Sequence, residues 1–328
     1  SMNDFRYLPK LLTDSLNPAF NGNTDWQDLF YQQGKVNNGN LSLSGGGNST
    51  TYRFSGDYFN EQGIIKATGF QRYSGRLNLS TKAVGDRLTI NPIVAYSYNA
   101  RNRGNGDNVS PIALSSGGMP SSLINLSPKM EEFLLGQYDS NLDINKNTNL
   151  NTNLNLSFVI LPGLTFTSQS AYIVNDAKKD YNRPSQLNGG AGNYSYSTTY
   201  GDSQLRISNI LSYNKQFGKH SLNALIGQEA EKNKIELVSA SGSLGVSDQI
   251  QVVNGFLQNN IGAYSDLQKY SLLSYLSRVS YDYDSKYLFS GAIRADGSSR
   301  FGENNKWGYF PSASVGWILT EENFLKDH

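Results

Sequence analysis

Tyr287-Leu-Phe-Ser-Gly-Ala-Ile-Arg-Ala-Asp-Gly-Ser-Ser-Arg-Phe-Gly-Glu-Asn-Asn-Lys-Trp-Gly-Tyr-Phe-Pro-Ser-Ala-Ser-Val-Gly-Trp317 reads as strand, loop, strand. Tyr287, Phe289, Gly291, Ile293 and Ala295 fall on one face of the first strand, with Leu288, Ser290, Ala292, Arg294 and Asp296 on the other. That is a period of two, apolar on one side and increasingly polar on the other. Gly297 to Trp307 is turn chemistry, rich in Gly, Ser and Asn. From Tyr309 to Leu319, Pro311, Ala313, Val315, Trp317 and Leu319 share one face; Phe310, Ser312, Ser314, Gly316 and Ile318 share the other.

The rest of the chain repeats this hairpin. Strands are expected at 37–45, 51–60, 70–81, 87–99, 147–160, 163–175, 203–217, 220–236, 269–283, 286–296 and 309–319. Leu150, Thr152, Leu154, Leu156 and Phe158 oppose Asn151, Asn153, Asn155 and Ser157. Around 203–217 the alternation holds except at Asn209 and Ile210. Short connections (45–50, 82–86, 161–163, 217–220, 284–285) alternate with longer ones, of which 100–146, 176–202 and 237–268 are expected as long loops. Transmembrane barrels have this rhythm of short turns at one rim and long loops at the other. Tyr281, Tyr283, Tyr287 and Phe289 gather about one short turn, where an interfacial aromatic girdle belongs. Residues 1–36 precede the strands and contain a short helix over 25–34, with Thr24 as N-cap; 37–328 forms the barrel unit.

Composition agrees. The 328 residues include 32 Gly and 21 Tyr but only 17% charged residues, against roughly 25% in an average soluble domain. No Cys is present, which excludes disulfides and thiolate metal sites. A net charge of +1 gives no case for nucleic acid. No apolar run approaches 18 residues, so no transmembrane helix is expected, yet a barrel hides from hydropathy because its two faces alternate. Ser1-Met-Asn-Asp opens no apolar signal segment; for an exported protein this implies processing, truncation or a fragment.

The Arg294–Trp317 stretch resembles the barrel of the SusC/RagA-like family of TonB-dependent outer-membrane transporters. Asn23-Thr-Asp-Trp-Gln-Asp28 with Asn40-Leu-Ser-Leu-Ser-Gly-Gly46, Arg72-Tyr-Ser-Gly-Arg-Leu-Asn-Leu79 and Trp317 to Leu325 resemble other parts of it. Gly39 departs from the His that the family often has there. The resemblance is dense at both ends and thin between about 100 and 270. It implies an all-β fold: an antiparallel up-and-down transmembrane β-barrel, with about 11 of 22 strands in this chain. It also implies TonB-dependent import of oligosaccharides or peptides across the outer membrane of Bacteroidetes-type bacteria. A SusD-like surface lipoprotein would lid the barrel. TonB would act through a plug and TonB box that the chain lacks, and outer-membrane lipid would surround it. A small complete porin of about 12 strands and a soluble β-rich surface adhesin are the alternatives; the odd strand count opposes the first and the connection rhythm the second.

Three groups are candidate sites. Arg53, Arg72, Arg76, Arg206, Arg278 and Arg294 share the polar faces of their strands with Asp57, Asp282 and Asp296. They could line a substrate path or, by resemblance, form a lumen network touching an inserted plug. The stretch from Tyr181-Asn-Arg-Pro184 through Tyr194–Tyr200 is rich in Tyr, Asn and Gly, so Tyr181, Arg183, Tyr194, Tyr196 and Tyr200 are candidate substrate-binding residues; strand extension above the membrane is the plainer reading. Asp143-Ile-Asn-Lys-Asn147 matches half of a calcium loop, but Thr148 replaces the turn Gly and Leu154 the final Glu, so it is read as plain loop. The two histidines form no catalytic constellation, and neither an enzyme activity nor a cofactor or metal is expected.

Overall fold

The computed structural model describes residues 24–104, 121–122, 128, 142–185, 188 and 192–322. Eleven strands form one antiparallel sheet: β1 (Lys35–Gly46), β2 (Thr50–Gln62), β3 (Thr68–Ala83), β4 (Leu88–Arg103), β5 (Leu142–Leu161), β6 (Leu164–Arg183), β7 (Tyr194–Phe217), β8 (His220–Ser243), β9 (Ile261–Tyr283), β10 (Tyr287–Ser298) and β11 (Trp307–Trp317). Each pairs with its neighbours in sequence, so the topology is up-and-down throughout. The eleven expected strands are all present.

Cross-strand register carries one face across the whole sheet. Leu77 pairs with Val94, Val94 with Thr152, Thr152 with Tyr172, Tyr172 with Leu205. On the same face at the other edge, Tyr281 pairs with Phe289 and Phe289 with Val315. The sheet is a single layer. Among the described residues the buried apolar side chains are Leu29, Phe30 and Phe256, while Leu41, Val94, Ile226, Val279, Ile293 and Val315 lie exposed on the apolar face. A water-soluble sheet must bury such a face against a second layer. Here lipid is the partner that the exposure calls for. No helix among the described residues is long and apolar enough to cross a membrane.

Two aromatic belts bound the band. At the turn rim Tyr283, Tyr287 and Trp317 stack in series, with centroids 6.3 and 6.4 Å apart. Tyr275 and Trp307 stack at the other rim. Ten residues separate Trp307 from Trp317, about 33 Å along the strand and about 24 Å when tilted, the height of a barrel's apolar band.

Three expectations need correction. The stretches 176–202 and 237–268 are not wholly loop: β6 and β7 run to Arg183 and from Tyr194, and β8 and β9 run to Ser243 and from Ile261. Of 100–146, residues 100–103, 121–122 and 142–146 are strand; 105–120, 123–127 and 129–141 lie outside the described residues. The periodicity fades there because both faces meet water and both are polar. Second, Asp143–Asn147 is strand, not loop. Third, helix α1 (Trp26–Phe30) is capped by Asp25, whose carboxylate accepts from Gln27 N at 2.9 Å and Asp28 N at 3.1 Å. Thr24 and Asp25 instead pair with Ser121–Ser122. The helix stops before Gly34 because extended Tyr31 bridges Ile65. Residues 1–23 lie outside the described residues.

The short turns are tight. Asp284 and Ser285 have φ of 57° and 56°, and Lys286 N donates to Tyr283 O at 3.0 Å, the left-handed pattern that follows strand twist. Gly163 has φ +85, and a Cβ there would lie 2.3 Å from Asn214 O. At Gly218, φ is +57 but a Cβ would meet nothing within 4 Å. Gly218→Ala should therefore cost only the left-handed penalty, on the order of 1 kcal/mol, and Gly163→Ala clearly more. The heat-modifiable fraction of the full-length protein on a gel ranks the two; equal losses contradict the clash. Single Cys residues at Gly302 and Pro162 give a second test. In intact cells a membrane-impermeant maleimide should label position 302 and spare 162.

Candidate functional site

Beyond the apolar band the hairpins continue into water. Leu161 to Asp143 is 18 residues, roughly 60 Å along the strand and about 42 Å when tilted, well above a band about 25 Å tall. On the polar face of this extension the ladder sets Tyr181 opposite Tyr196 and Arg183 opposite Tyr194. The rings of Tyr181 and Tyr196 stack at 4.9 Å and 19°, and Tyr194 tilts against both at 6.3 and 5.9 Å. Lys179 Nζ sits 5.2 Å from the Tyr196 ring and 5.9 Å from that of Tyr181. Four of the five expected residues thus meet. Tyr200 does not: it pairs with Ala177, four positions down the same face. Lys179 and Asp143 complete the group. Sequence reading took Asp143 for plain loop and missed Lys179, although Lys179 lies two residues before Tyr181 and the period of two puts both on one face.

The loops beside the tyrosines are clasped. Asp248 accepts from Ser185 N at 2.8 Å and Ser185 Oγ at 2.5 Å. Asn193, almost fully buried, donates to Ser247 O at 2.9 Å and accepts from Gly245 N at 2.5 Å. Phe256 fills the space above Gly242 and Gly245. The aromatic group therefore stands on hydrogen-bonded strands with its loops tied down.

Lower on the same face lie the charged residues. Arg294 donates to Asp296 at 2.7 Å, Glu229 at 3.0 Å and Ser274 at 3.1 Å. Arg206 donates to Glu231 at 2.9 Å, and Gln204 and Asn233 bind the same carboxylate. Asn40 donates to Asp57 at 2.8 Å, and Arg76 to Asn78 at 3.0 Å. Arg72 lies 5.6 Å from the Phe59 centroid. Asp282 instead caps its own turn through Ser285 N. Arg53 and Arg278 have no ion pair among the described residues; Arg278 lines a small cleft with Ser212, Asn214 and Asn223. Glu229 and Glu231 were missed in the sequence. Their signal was there: two carboxylates spaced by two on one strand, on the face that carries the arginines.

Asn209 and Ile210 also find their reason. Asn209 lies on the apolar face, where its amide accepts from Ser168 at 2.8 Å and donates to Gln228 at 3.1 Å. Ile210 lies on the polar face, paired with Gly227, over which Leu276 leans.

Asp143 is fully buried, and its carboxylate oxygens have no hydrogen-bond partner among the described residues. Burial pushes its pKa above the ordinary carboxylate range, with Lys179 and Arg103 pulling the other way. The Tyr181 hydroxyl is raised for the same reason, burial, opposed first by Arg183. A raised carboxyl contributes stability at low pH and loses it as pH rises through the native pKa. Local protection of 142–146 and 179–183 against hydrogen exchange, corrected for intrinsic rates, should fall as pH rises above the ordinary carboxylate range. Asp143→Asn should flatten that dependence. The same slope in the variant excludes Asp143 as its source.

No protein-family model matches the chain. A TonB-dependent receptor, P3, of Formosa agariphila is 28% identical over 337 residues, covering 93% of this chain and 32% of the relative. The TonB-dependent receptor SusC of Bacteroides thetaiotaomicron is 28% identical over 368 residues, covering 98% of this chain and 35% of the relative. The RagAB peptide transporter structure superposes with a TM-score of 0.70 at 21% identity, over 93% of this chain and 36% of that one. The ferric citrate transporter FecA superposes with a TM-score of 0.56 at 10% identity. The chain spans about a third of the length of these relatives. Nearly the whole chain is therefore similar to one third of the SusC-type TonB-dependent receptors, and its eleven strands carry their barrel fold.

Proposed function

We propose that this chain is the barrel segment of a TonB-dependent importer of the outer membrane. The observation that carries the reading is one continuous polar face running from the clasped tyrosine group to the paired arginines, backed by a lipid-facing face. The tyrosines and Lys179 present stacked rings, hydroxyls and a cation at the outer end, chemistry that grips an oligosaccharide or a peptide. Below them, Arg53, Arg72, Arg76 and Arg278 offer donors to a plug inside the barrel, through which TonB acts. A SusD-like lipoprotein is the lid that the clasped outer hairpins would meet. The similarity to receptors named for TonB dependence favours transport over catalysis.

Because Tyr194–Tyr200 is strand, removing that segment would break two ladders; point substitutions test the site cleanly. Deleting the gene identifies its nutrient, by growth on single oligosaccharide or peptide sources. On that nutrient Tyr181→Ala with Tyr196→Ala should lower uptake at limiting concentration about 10-fold, a loss of two ring contacts. Phe at both positions should preserve most of it. Normal uptake by the double Ala variant, at normal protein level in the outer membrane, contradicts the assignment.

A further inference from the structure

The lipid-facing surface changes character at the loop rim. Tyr275 and Trp307 stack with centroids 6.1 Å apart, and the indole lies over Gly297, where a Cβ would come within 3.0 Å of it. Beside them a cleft of ≈ 450 Å³ opens between β7 and β11. Its apolar wall is Leu205, Ile207, Leu273 and Trp307, and Lys232 and Lys306 line it too. Glu231 also borders the cleft, but its carboxylate is held on the opposite face by Arg206, Gln204 and Asn233.

Height fixes what this cleft meets. Lys232 is 12 residues from His220 in the turn-rim belt, about 40 Å along the strand and about 28 Å when tilted. That places its ammonium just above a hydrocarbon band about 25 Å tall, at headgroup level. Lys269 lies diagonally from it on β9, and Lys234 stands directly opposite Lys269. Like charges directly opposite each other destabilise a sheet. Glu236 pairs with Lys234 at 2.6 Å, and that contact first, with the charge of Lys269 after it, holds its carboxyl below the ordinary range. Lys232, Lys269 and Lys306, all exposed, have no ion pair among the described residues. Lipid-facing apolar wall, aromatic rim and exposed lysines outnumbering the one nearby carboxylate form one continuous surface in the headgroup layer.

We propose that this cleft binds a phosphate-bearing lipid of the outer leaflet. An acyl chain lies along Leu205, Ile207 and Leu273 below Trp307. The headgroup phosphate is held by Lys232 and Lys306, with Lys269 adding charge. Lysine suits this position because it extends its apolar stem along the wall and meets phosphate as a point charge. The proposal rests on the membrane placement of this face and is independent of what is transported.

The test uses the full-length protein purified in detergent and placed in phosphatidylcholine nanodiscs doped with lipid A, with lipid A plus inorganic phosphate in the buffer, or with dephosphorylated lipid A. Bound lipid is read by native mass spectrometry after release. Lipid A should be retained and dephosphorylated lipid A lost, with no effect of inorganic phosphate. Each lysine near an anionic headgroup layer is worth roughly 5-fold in affinity, so Lys232→Gln with Lys269→Gln should weaken lipid A retention by about 30-fold. Lys215→Gln, at the opposite rim of the same face, should change nothing. All variants should remain heat-modifiable, since these exposed side chains form no ion pair among the described residues. Retention of lipid A unchanged in the double variant overturns the proposal. So does equal retention of the dephosphorylated lipid, or displacement of lipid A by inorganic phosphate. A failure of nutrient uptake in any variant, without lipid loss, bears on transport and not on this cleft.

Discussion

A single layer of strands has nowhere of its own to hide an apolar face, and every other feature of this chain answers that constraint. A soluble sheet meets it with a second layer. Here the described strands offer none, and the apolar face stays exposed from Leu41 to Val315. Hydrocarbon then supplies what packing does not, and it imposes its own condition: backbone groups in lipid must all be paired, because each orphan costs several kcal/mol. The ladder meets this condition across ten strand pairs. It leaves β1 and β11 paired on one side each among the described residues. Some 10 outward groups along each membrane-crossing edge would cost several tens of kcal/mol, against a net stability of about 5–15 kcal/mol. Each edge therefore needs a hydrogen-bonding partner in the membrane. Pro311, on the edge strand β11, adds to this: it can offer no N–H to a neighbour, so the partner must accommodate one missing bond there.

The strands inside the membrane were legible because lipid and lumen differ so sharply that the period of two shows in single residues. Tyr287 to Asp296 and Leu150 to Phe158 are clear cases. The extensions were not, for the opposite physical reason. Above the band both faces meet water, so Tyr194 to Asp202 and Ile261 to Gln268 carry polar residues on either side and read as loop. Asp143 was hidden the same way. A calcium-like spacing drew attention to it, but its significance is burial, which arises only when β5 and β6 pair and set it opposite Tyr181. The tyrosine group was half legible. Composition marked Tyr181, Tyr194 and Tyr196, and pairing across β6 and β7 was needed to show that they touch while Tyr200 stands apart. Ion pairs such as Arg294 with Glu229, 65 residues distant, depend on register that no local pattern carries.

The outer hairpins illustrate how rigidity is built without a core. Ser185, Asn193, Ser247 and Asp248 replace apolar packing with directed hydrogen bonds between two loops, each of which would otherwise move independently. Buried amides and carboxylates that are fully bonded hold geometry better than they add stability. The stacked tyrosines stand beside this clasp, so their spacing is set by two strands and two tied loops together.

Asn209 has a consequence for how the barrel is made. Its amide joins Ser168 and Gln228 across three neighbouring strands, on the side that enters the bilayer. In the native alignment the three polar groups satisfy one another. Slide β7 by two residues, so that Leu205 takes the place of Ile207 and Leu211 that of Tyr213, and hydrophobicity alone would tolerate the error. The amide would not: in Leu211's place it would lie between Phe166 and Ile226 with its donors and acceptor empty, at several kcal/mol. A polar trio in the wrong solvent thus acts as a proofreading mark during insertion, rejecting the misaligned pairings that an all-aliphatic face would accept.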